Sequence, residues 1–123
     1  MPVSRTAVVI EDDLDIRTLV SVVLEGAGFE VHAAPTGLDG IELVRRHDPV
    51  VTTLDVSMPG IDGFETARRI RVFSSTRILM VSARADEAEQ RAGREAGADD
   101  YLTKPFRPRE LRQRVEELAA LSD

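Results

Sequence analysis

The sequence predicts an α/β protein whose core is a doubly wound parallel sheet of five strands, flanked by five helices. Three observations lead to this fold class. Short β-branched or apolar runs recur five times, segments with helical spacing of apolar residues lie between them, and glycine or proline marks several boundaries. Strands that alternate with helices along a whole chain are typical of a parallel sheet. The chain of 123 residues fits one domain of common size, predicted to span positions 1–123.

The five predicted strands are short. The first, third and fourth are almost continuously apolar, as strands covered by helices on both faces should be. We expect the common order 2-1-3-4-5, which places the first strand beside the third. The predicted ranges are 7–10, 29–33, 50–54, 78–81 and 101–102.

The intervening segments predict helices because their apolar residues recur on one face. Gly28 and Gly97 follow the first and fourth helices, where a left-handed residue would close each of them. Pro108 lies near the start of the fifth, where a missing N–H costs little. The predicted inward residues are, helix by helix, Ile16, Leu19, Val20, Val23 and Leu24; Leu38, Ile41 and Val44; Phe64, Ala67 and Ile70; Ala88, Ala92 and Ala96; Leu111, Val115 and Leu118.

Composition excludes several classes of protein. The formal charge of −6 argues against the domain holding nucleic acid by its phosphates. With no cysteine, the chain has no disulfide scaffold, thiolate metal site or cysteine nucleophile, which suits the cytoplasm. No apolar run is long enough for a membrane span, and the first residues do not resemble a signal peptide. We therefore expect a cytoplasmic domain with no membrane contact.

Chemistry-bearing residues follow several strands at the point where each strand ends. Ligands of an open parallel sheet bind at this carboxyl edge. Glu11 and Asp12 follow the first strand and Asp55 follows the third, so the three carboxylates are expected to meet. Oxygen ligands without histidine or cysteine favour a hard divalent cation, and Mg²⁺ is the predicted cofactor. The alternative, a solvated cap for the first helix, is preferred for Asp13 and Asp15.

Asp55 is the predicted nucleophile, because a carboxylate beside a divalent cation can attack phosphorus and form an aspartyl phosphate. Ser82 follows the fourth strand, and Lys104, the single lysine beside fifteen arginines, follows the fifth. A hydroxyl donor and an ammonium offset the negative charge of a transferring phosphoryl group. The alternatives are a strand-end Asp that bonds its own turn and a lysine that is only a surface charge.

Four segments, in this order and spacing, carry a specific resemblance to a known family: Val9-Ile10-Glu11-Asp12-Asp13, Leu54-Asp55-Val56-Ser57-Met58-Pro59-Gly60-Ile61-Asp62-Gly63, Leu79-Met80-Val81-Ser82-Ala83-Arg84 and Asp99-Asp100-Tyr101-Leu102-Thr103-Lys104-Pro105-Phe106. Over nearly its whole length the chain resembles the receiver domains of bacterial two-component response regulators. The resemblance implies a flavodoxin-like fold and phosphorylation of Asp55 by a sensor histidine kinase. The domain would catalyse only its own phosphotransfer and autodephosphorylation.

The resemblance also implies roles for individual residues. Asp12, Asp55 and the backbone carbonyl of Ser57 would bind Mg²⁺, with Glu11 acting through water. On phosphorylation, Ser82 would move toward the phosphoryl group and Tyr101 would turn inward behind it. The Lys104–Pro105 peptide bond would be cis.

The last third of the chain is most similar to regulators that carry a winged-helix DNA-binding domain. That subgroup implies control of transcription, with DNA bound only through an output domain that this chain lacks. It also implies a homodimer of phosphorylated receivers through the fourth helix, fifth strand and fifth helix, in which Asp100, Glu110 and Arg114 carry the expected charges. Gln90 and Leu121 stand where basic residues are usual, so we expect fewer ion pairs in that dimer.

Two other functions are consistent with these residues. A phosphatase could use Asp55 as nucleophile, although such enzymes place an acid two positions later, where this chain has Ser57. A binding module that does not depend on phosphorylation could also keep the fold, although such modules should have lost an acid or the lysine.

Overall fold

Five parallel strands form one sheet in the order β2-β1-β3-β4-β5, which confirms the predicted fold class and strand order. The computed structural model describes residues 5–84 and 86–122, so the ends of the predicted domain, 1–4 and 123, lie outside the described residues. The elements are β1 (Arg5–Ile10), α1 (Leu14–Gly26), β2 (Phe29–Ala34), α2 (Gly37–His47), β3 (Val51–Asp55), α3 (Gly63–Arg71), β4 (Arg77–Ser82), α4 (Glu87–Ala96), β5 (Asp100–Thr103) and α5 (Pro108–Ala120).

The core has two layers, one on each face of the sheet. Strand β1 shows how the sequence builds both, because its alternate side chains point to opposite faces. Ala7 and Val9 join a cluster with residues of α1 and α5, whereas Val8 and Ile10 join a cluster with residues of α2, α3 and α4. All four β1 side chains are buried. β1 and β4 are therefore apolar on both faces with polar residues only at their ends, whereas β3 carries the buried Thr52 and Thr53 at its centre.

Helix boundaries follow the predicted signals. Asp13 caps α1 by accepting a hydrogen bond from the Ile16 amide at 3.0 Å, as the capping interpretation required. Gly28 and Gly97 adopt left-handed backbone conformations, with φ of 96° and 116°. Pro108 is the first residue of α5. Since α1 begins so soon after β1, the segment between them is short and holds Glu11 and Asp12 at the sheet edge.

Several predicted inward residues are not buried. Leu38 is 57% exposed and Leu19 is 41% exposed. In α4 the buried residues are Glu89, Gly93 and Ala96, so the predicted stripe of alanines at 88, 92 and 96 is wrong except at its last position. The inward face of α4 packs tightly at Gly93, because a Cβ there would lie 3.0 Å from the Met80 sulfur and 3.2 Å from the Tyr101 ring and would require both to shift.

Arg71 joins α3 to the segment between α4 and β5. Its guanidinium donates to the Gly97 carbonyl at 3.0 Å, to the Thr76 carbonyl and to the Asp99 carboxylate at 2.8 Å. Burial lowers the pKa of Arg71, while Asp99 opposes that change. In the described part of the chain, no helix is both long and apolar enough to cross a lipid bilayer.

Candidate functional site

The predicted carboxylates meet at the carboxyl edge of the sheet. Glu11 and Asp12 follow β1, and Asp55 is the last residue of the neighbouring β3. One carboxylate oxygen from each of the three lies within 4.8 Å of the others. Glu11 and Asp55 are buried, with 3% and 4% of their surface exposed, whereas Asp12 is exposed. The site is thus an acidic cluster, Glu11, Asp12 and Asp55, that opens to solvent on the Asp12 side.

Lys104 joins this cluster from the end of β5. Its ammonium lies 3.0 Å from Glu11 Oε1 and 3.2 Å from Asp55 Oδ1. The Lys104 amide donates to the Ser82 carbonyl at 2.7 Å, which fixes the segment after β5 against the end of β4. The Lys104–Pro105 peptide bond is cis, as the family resemblance implied. Lys104 therefore contacts Asp55 and Glu11 directly, although they lie 49 and 93 positions before it in the sequence.

The charge balance of the cluster is uneven. Burial, and after it the repulsion by the Glu11 carboxylate, raise the pKa of Asp55 to about 7, although Lys104 opposes the change. Burial alone would lower the pKa of Lys104, but its hydrogen bond to Glu11 and its attraction to Asp55 raise it. The cluster holds three acids and one ammonium, so near neutral pH it either keeps a proton on Asp55 or needs a further positive charge.

The residues present fit a divalent cation. Every ligand that the cluster offers is a carboxylate oxygen, the donor type that Mg²⁺ prefers. The pKa of Asp55 is raised first by burial and second by repulsion from Glu11, and the positive charge of a dication would oppose both effects. The magnesium prediction is therefore consistent with the chemistry of the donor set. Ser57, whose carbonyl is the remaining predicted ligand, is exposed and lies two positions after Asp55, between the buried Val56 and Met58.

Backbone contacts hold Asp55 in place. Its strand pairs with both β1 and β4, and the Val56 amide donates to the Val81 carbonyl at 3.2 Å. The Gly63 amide donates to the Val56 carbonyl at 2.8 Å, which closes the segment between Asp55 and α3. A Cβ at position 63 would lie 2.5 Å from the Asp55 carbonyl oxygen. Glycine is thus required where this loop returns against the end of β3.

Ser82, the last residue of β4, is buried but does not bond to the acidic cluster. Its hydroxyl donates to both carboxylate oxygens of Glu89, at 3.3 and 3.2 Å, and accepts from the Arg84 amide at 3.1 Å. Glu89 belongs to α4 and is itself buried. Sequence reasoning missed Glu89, because α4 carries several acids and no apolar pattern distinguishes the inward one.

The hydroxyl of Tyr101 is buried and has no hydrogen-bond partner within the described residues. Burial raises the pKa of Tyr101, the Glu89 carboxylate raises it further, and Ser82 lowers it. The two predicted switch residues, Ser82 and Tyr101, are therefore both close to Glu89.

The residues predicted for a dimer interface lie together on the surface formed by α4, β5 and α5. Arg114 donates to the Asp100 carboxylate at 3.3 Å and to the Tyr101 carbonyl at 2.9 Å, and Glu110 lies 4.0 Å from Arg114. Within one chain these charges are paired with each other. Dimerisation through this surface remains a prediction.

The comparisons with known proteins agree with this geometry. Residues 7–116 match the model of the response regulator receiver domain. The transcriptional regulatory protein CseB of Streptomyces coelicolor is 50% identical over 97 residues, which are 79% of this chain and 42% of CseB. This chain spans less than half the length of the curated relatives it matches.

Solved structures give the same result. The chemotaxis protein CheY4 of Vibrio cholerae superposes with a TM-score of 0.90 at 28% identity, covering 94% of this chain and 99% of that one. The DrrB receiver domain, in a BeF3-activated form, has a TM-score of 0.85 at 34% identity, covering 96% and 99%. Because the family model covers most of the chain and the curated relatives support it, this chain belongs to the family of response regulator receiver domains.

Proposed function

We propose that the domain accepts a phosphoryl group on Asp55 from a phosphohistidine of a sensor histidine kinase, in a reaction that depends on Mg²⁺. The observation that carries this proposal is the contact of the buried Asp55 carboxylate with Lys104 at 3.2 Å, within a cluster of three acids. Membership of the receiver family supports the kinase as donor. A phosphatase is less well supported, because Ser57 supplies no acid two positions after Asp55.

The chemical step is an in-line displacement at phosphorus. An oxygen of the Asp55 carboxylate attacks, a P–O bond forms, and the P–N bond to the donor imidazole breaks as that ring takes up a proton. The neighbouring Lys104 ammonium stabilises the ionised form of Asp55 and is placed to donate to a phosphoryl oxygen. The Ser82 hydroxyl is the second donor once it turns from Glu89 toward the phosphoryl group.

Asp12, Asp55 and the Ser57 carbonyl are the proposed ligands of Mg²⁺, with Glu11 acting through water. When bound, the cation offsets the negative charge that builds up on the phosphoryl oxygens. Glu11 also has a second role, because its carboxylate accepts from Lys104 at 3.0 Å and from the Asp13 amide at 3.2 Å. Those two bonds keep Lys104 directed at Asp55 and the start of α1 close to the site.

An apolar cleft beside the acidic cluster supports the choice of a protein as phosphoryl donor. Ile16 and Leu19 of α1 face Phe106 and the stem of Lys104 across this cleft. Leu14, at the start of α1, is 63% exposed. Apolar side chains next to a polar reaction centre suit a partner helix that presents a phosphohistidine. We propose this cleft as the kinase contact.

The output is proposed to pass through α4, β5 and α5. Phosphorylation would draw Ser82 toward Asp55, change the surroundings of Tyr101 and alter the surface that holds Asp100, Glu110 and Arg114, which favours a homodimer. Relatives such as CseB are transcriptional regulatory proteins, so control of transcription in the cytoplasm, with DNA bound by a separate output domain, is the proposed result.

Acetyl phosphate provides a direct test. The protein is incubated with acetyl phosphate and Mg²⁺ or with EDTA, and the intact mass is measured. We expect one added phosphate with Mg²⁺ only, lost in Asp55→Asn and kept in the matched control Asp15→Asn, whose side chain is exposed. A phosphate that persists in Asp55→Asn, or sustained turnover of phosphate esters, would contradict the proposal.

A further inference from the structure

Glu89 is a buried acid that the proposed reaction does not use. It is 7% exposed, and within residues 5–84 and 86–122 no basic side chain forms an ion pair with it. Its backbone amide donates to the Asp86 carboxylate at 2.9 Å, and its own carboxylate accepts from the Ser82 hydroxyl through both oxygens. A buried carboxylate is costly unless donors satisfy it. The Ser82 hydroxyl is the only donor to that carboxylate among the described hydrogen bonds.

Ser82 has one hydroxyl proton, so it cannot donate to Glu89 and to a phosphoryl group at the same time. A move toward Asp55 would leave the Glu89 carboxylate buried without its donor. A replacement donor lies beside it. The Tyr101 hydroxyl is buried without a hydrogen-bond partner within the described residues. Glu89 and Ser82 both lie near enough to that hydroxyl to act on its pKa.

The packing of α4 keeps these groups together. Glu89 and Gly93 lie on the same inward face of α4, one turn apart. The Tyr101 ring lies so close to Gly93 that a Cβ there would be 3.2 Å from Tyr101 Cε2. The ring is thereby held against the inward face of α4 that also carries Glu89.

We propose that Glu89 is a positioning residue that accepts its hydrogen bond from Ser82 in the unphosphorylated domain and from Tyr101 in the phosphorylated domain. This inference rests on the proposed function, since it assumes that Ser82 moves to the phosphoryl group. The Glu89 carboxylate then couples the two hydroxyls, because the departure of the Ser82 hydroxyl frees it to accept from the Tyr101 hydroxyl. Tyr101 belongs to β5, so the exchange carries the state of Asp55 to the surface formed by α4, β5 and α5.

The exchange predicts an unusual pattern of mutational effects. The probe is beryllium fluoride with Mg²⁺, which imitates the phosphoryl group, and its affinity is measured from the populations of free and bound backbone NMR signals. Tyr101→Phe should weaken binding about tenfold, because it leaves Glu89 without a donor only in the bound state. Glu89→Leu alone should change affinity less than threefold, since it removes one hydrogen bond from each state. In the Glu89→Leu background, Tyr101→Phe should change affinity less than twofold.

A spectroscopic readout tests the same exchange directly. Tyr101 is the only tyrosine and the chain has no tryptophan, so its emission reports on one hydroxyl. A phenol that donates to a carboxylate loses emission. Beryllium fluoride should therefore quench Tyr101 in the parent protein and in the control Glu87→Leu, an exposed acid of the same helix. Glu89→Leu should abolish the quenching while binding persists. Glu89→Gln keeps the size of the side chain and one acceptor oxygen, so it should retain part of the quenching. This variant replaces Glu89→Leu in the experiment if the leucine variant does not fold.

The two hypotheses fail in different ways. If the parent protein does not bind beryllium fluoride in the presence of Mg²⁺, the proposed function is wrong and the inference falls with it. The parent protein could bind beryllium fluoride while Tyr101→Phe weakens binding equally in the parent and in the Glu89→Leu background. In that case only the proposed exchange of hydrogen bonds is overturned. Quenching that is unchanged in Glu89→Leu would overturn it as well.

Discussion

Asp55→Asn is expected to stabilise the metal-free protein while it abolishes phosphorylation. In the absence of a dication, the buried Asp55 carboxylate lies 3.2 Å from the Lys104 ammonium, but the Glu11 carboxylate repels it. Its pKa is raised from 3.8 to about 7, so the folded state favours the protonated acid. The neutral amide removes the burial and repulsion cost of the charge and nearly preserves the side-chain shape.

The magnitude follows from the pKa shift. One pKa unit corresponds to about 1.4 kcal/mol, so a rise from 3.8 to about 7 costs the ionised protein at most about 4 kcal/mol above pH 7. The pKa of Asp55 is higher in the folded than in the unfolded protein, so the protonated acid contributes its full stabilisation below about pH 4. That contribution is lost as the pH rises through about 7. Lys104 loses one partner in the variant, and the new amide needs hydrogen bonds of its own. We therefore expect a net gain of about 2 kcal/mol at pH 8, or about 8 °C in Tm.

Thermal unfolding followed by circular dichroism, in buffer with EDTA, measures this gain at pH 8 and pH 5. The gain should be clearly smaller at pH 5, where Asp55 in the folded parent is protonated. Asp15→Asn is the matched control, since Asp15 is exposed in the first turn of α1 and its replacement should not raise Tm at either pH. A Tm at pH 8 that equals or falls below the parent value, or a gain that is the same at both pH values, would refute the reasoning.

Three further predictions concern the metal and the scaffold. Mg²⁺ at about 100 times its Kd should stabilise the parent by about 2.7 kcal/mol in thermal unfolding, and an equal rise in Asp12→Ala would remove Asp12 from the ligand set. Arg71→Ala should cost about 1–3 kcal/mol in urea unfolding, because it removes the donor of the Ser74, Thr76 and Gly97 carbonyls. It also removes one donor to Asp99, whose carboxylate still accepts from the Ile78 amide at 2.8 Å. The exposed control Arg68→Ala should cost under about 0.5 kcal/mol, and similar losses in both would contradict a structural role for the half-buried guanidinium of Arg71. Gly63→Ala should cost about 1–3 kcal/mol and slow phosphorylation by acetyl phosphate, since its Cβ would meet the Asp55 carbonyl at 2.5 Å; Gly26→Ala, with open space around it, should do neither.

The acidic cluster could be predicted from the sequence because of one property of parallel sheets. All strands end at the same edge, so residues that follow different strands are neighbours once the strand order is known. Glu11, Asp12, Asp55 and Lys104 each follow or end a strand, and each strand was recognisable from its apolar run. Contacts such as that between Lys104 and Glu11 therefore required only a correct topology.

The environment of Ser82 could not be predicted in this way. Helix α4 carries acids at 87, 89 and 95, and their spacing does not tell which one is buried. In the folded domain Gly93 packs against Met80 and Tyr101, and Glu89 lies on the same inward face of the helix. Arg71 is a similar case, since it is one of fifteen arginines and is distinguished only by the carbonyls and the carboxylate that surround it.

The amino-acid sequence by itself determined the fold class, the strand order and the position of the acidic cluster, because these depend on local periodicity and on the shared edge of the strands. Only the tertiary structure decided which polar side chains of the helices are buried and what they contact. Burial of a single carboxylate or guanidinium depends on partners from remote elements, and helical periodicity contains no information about those partners.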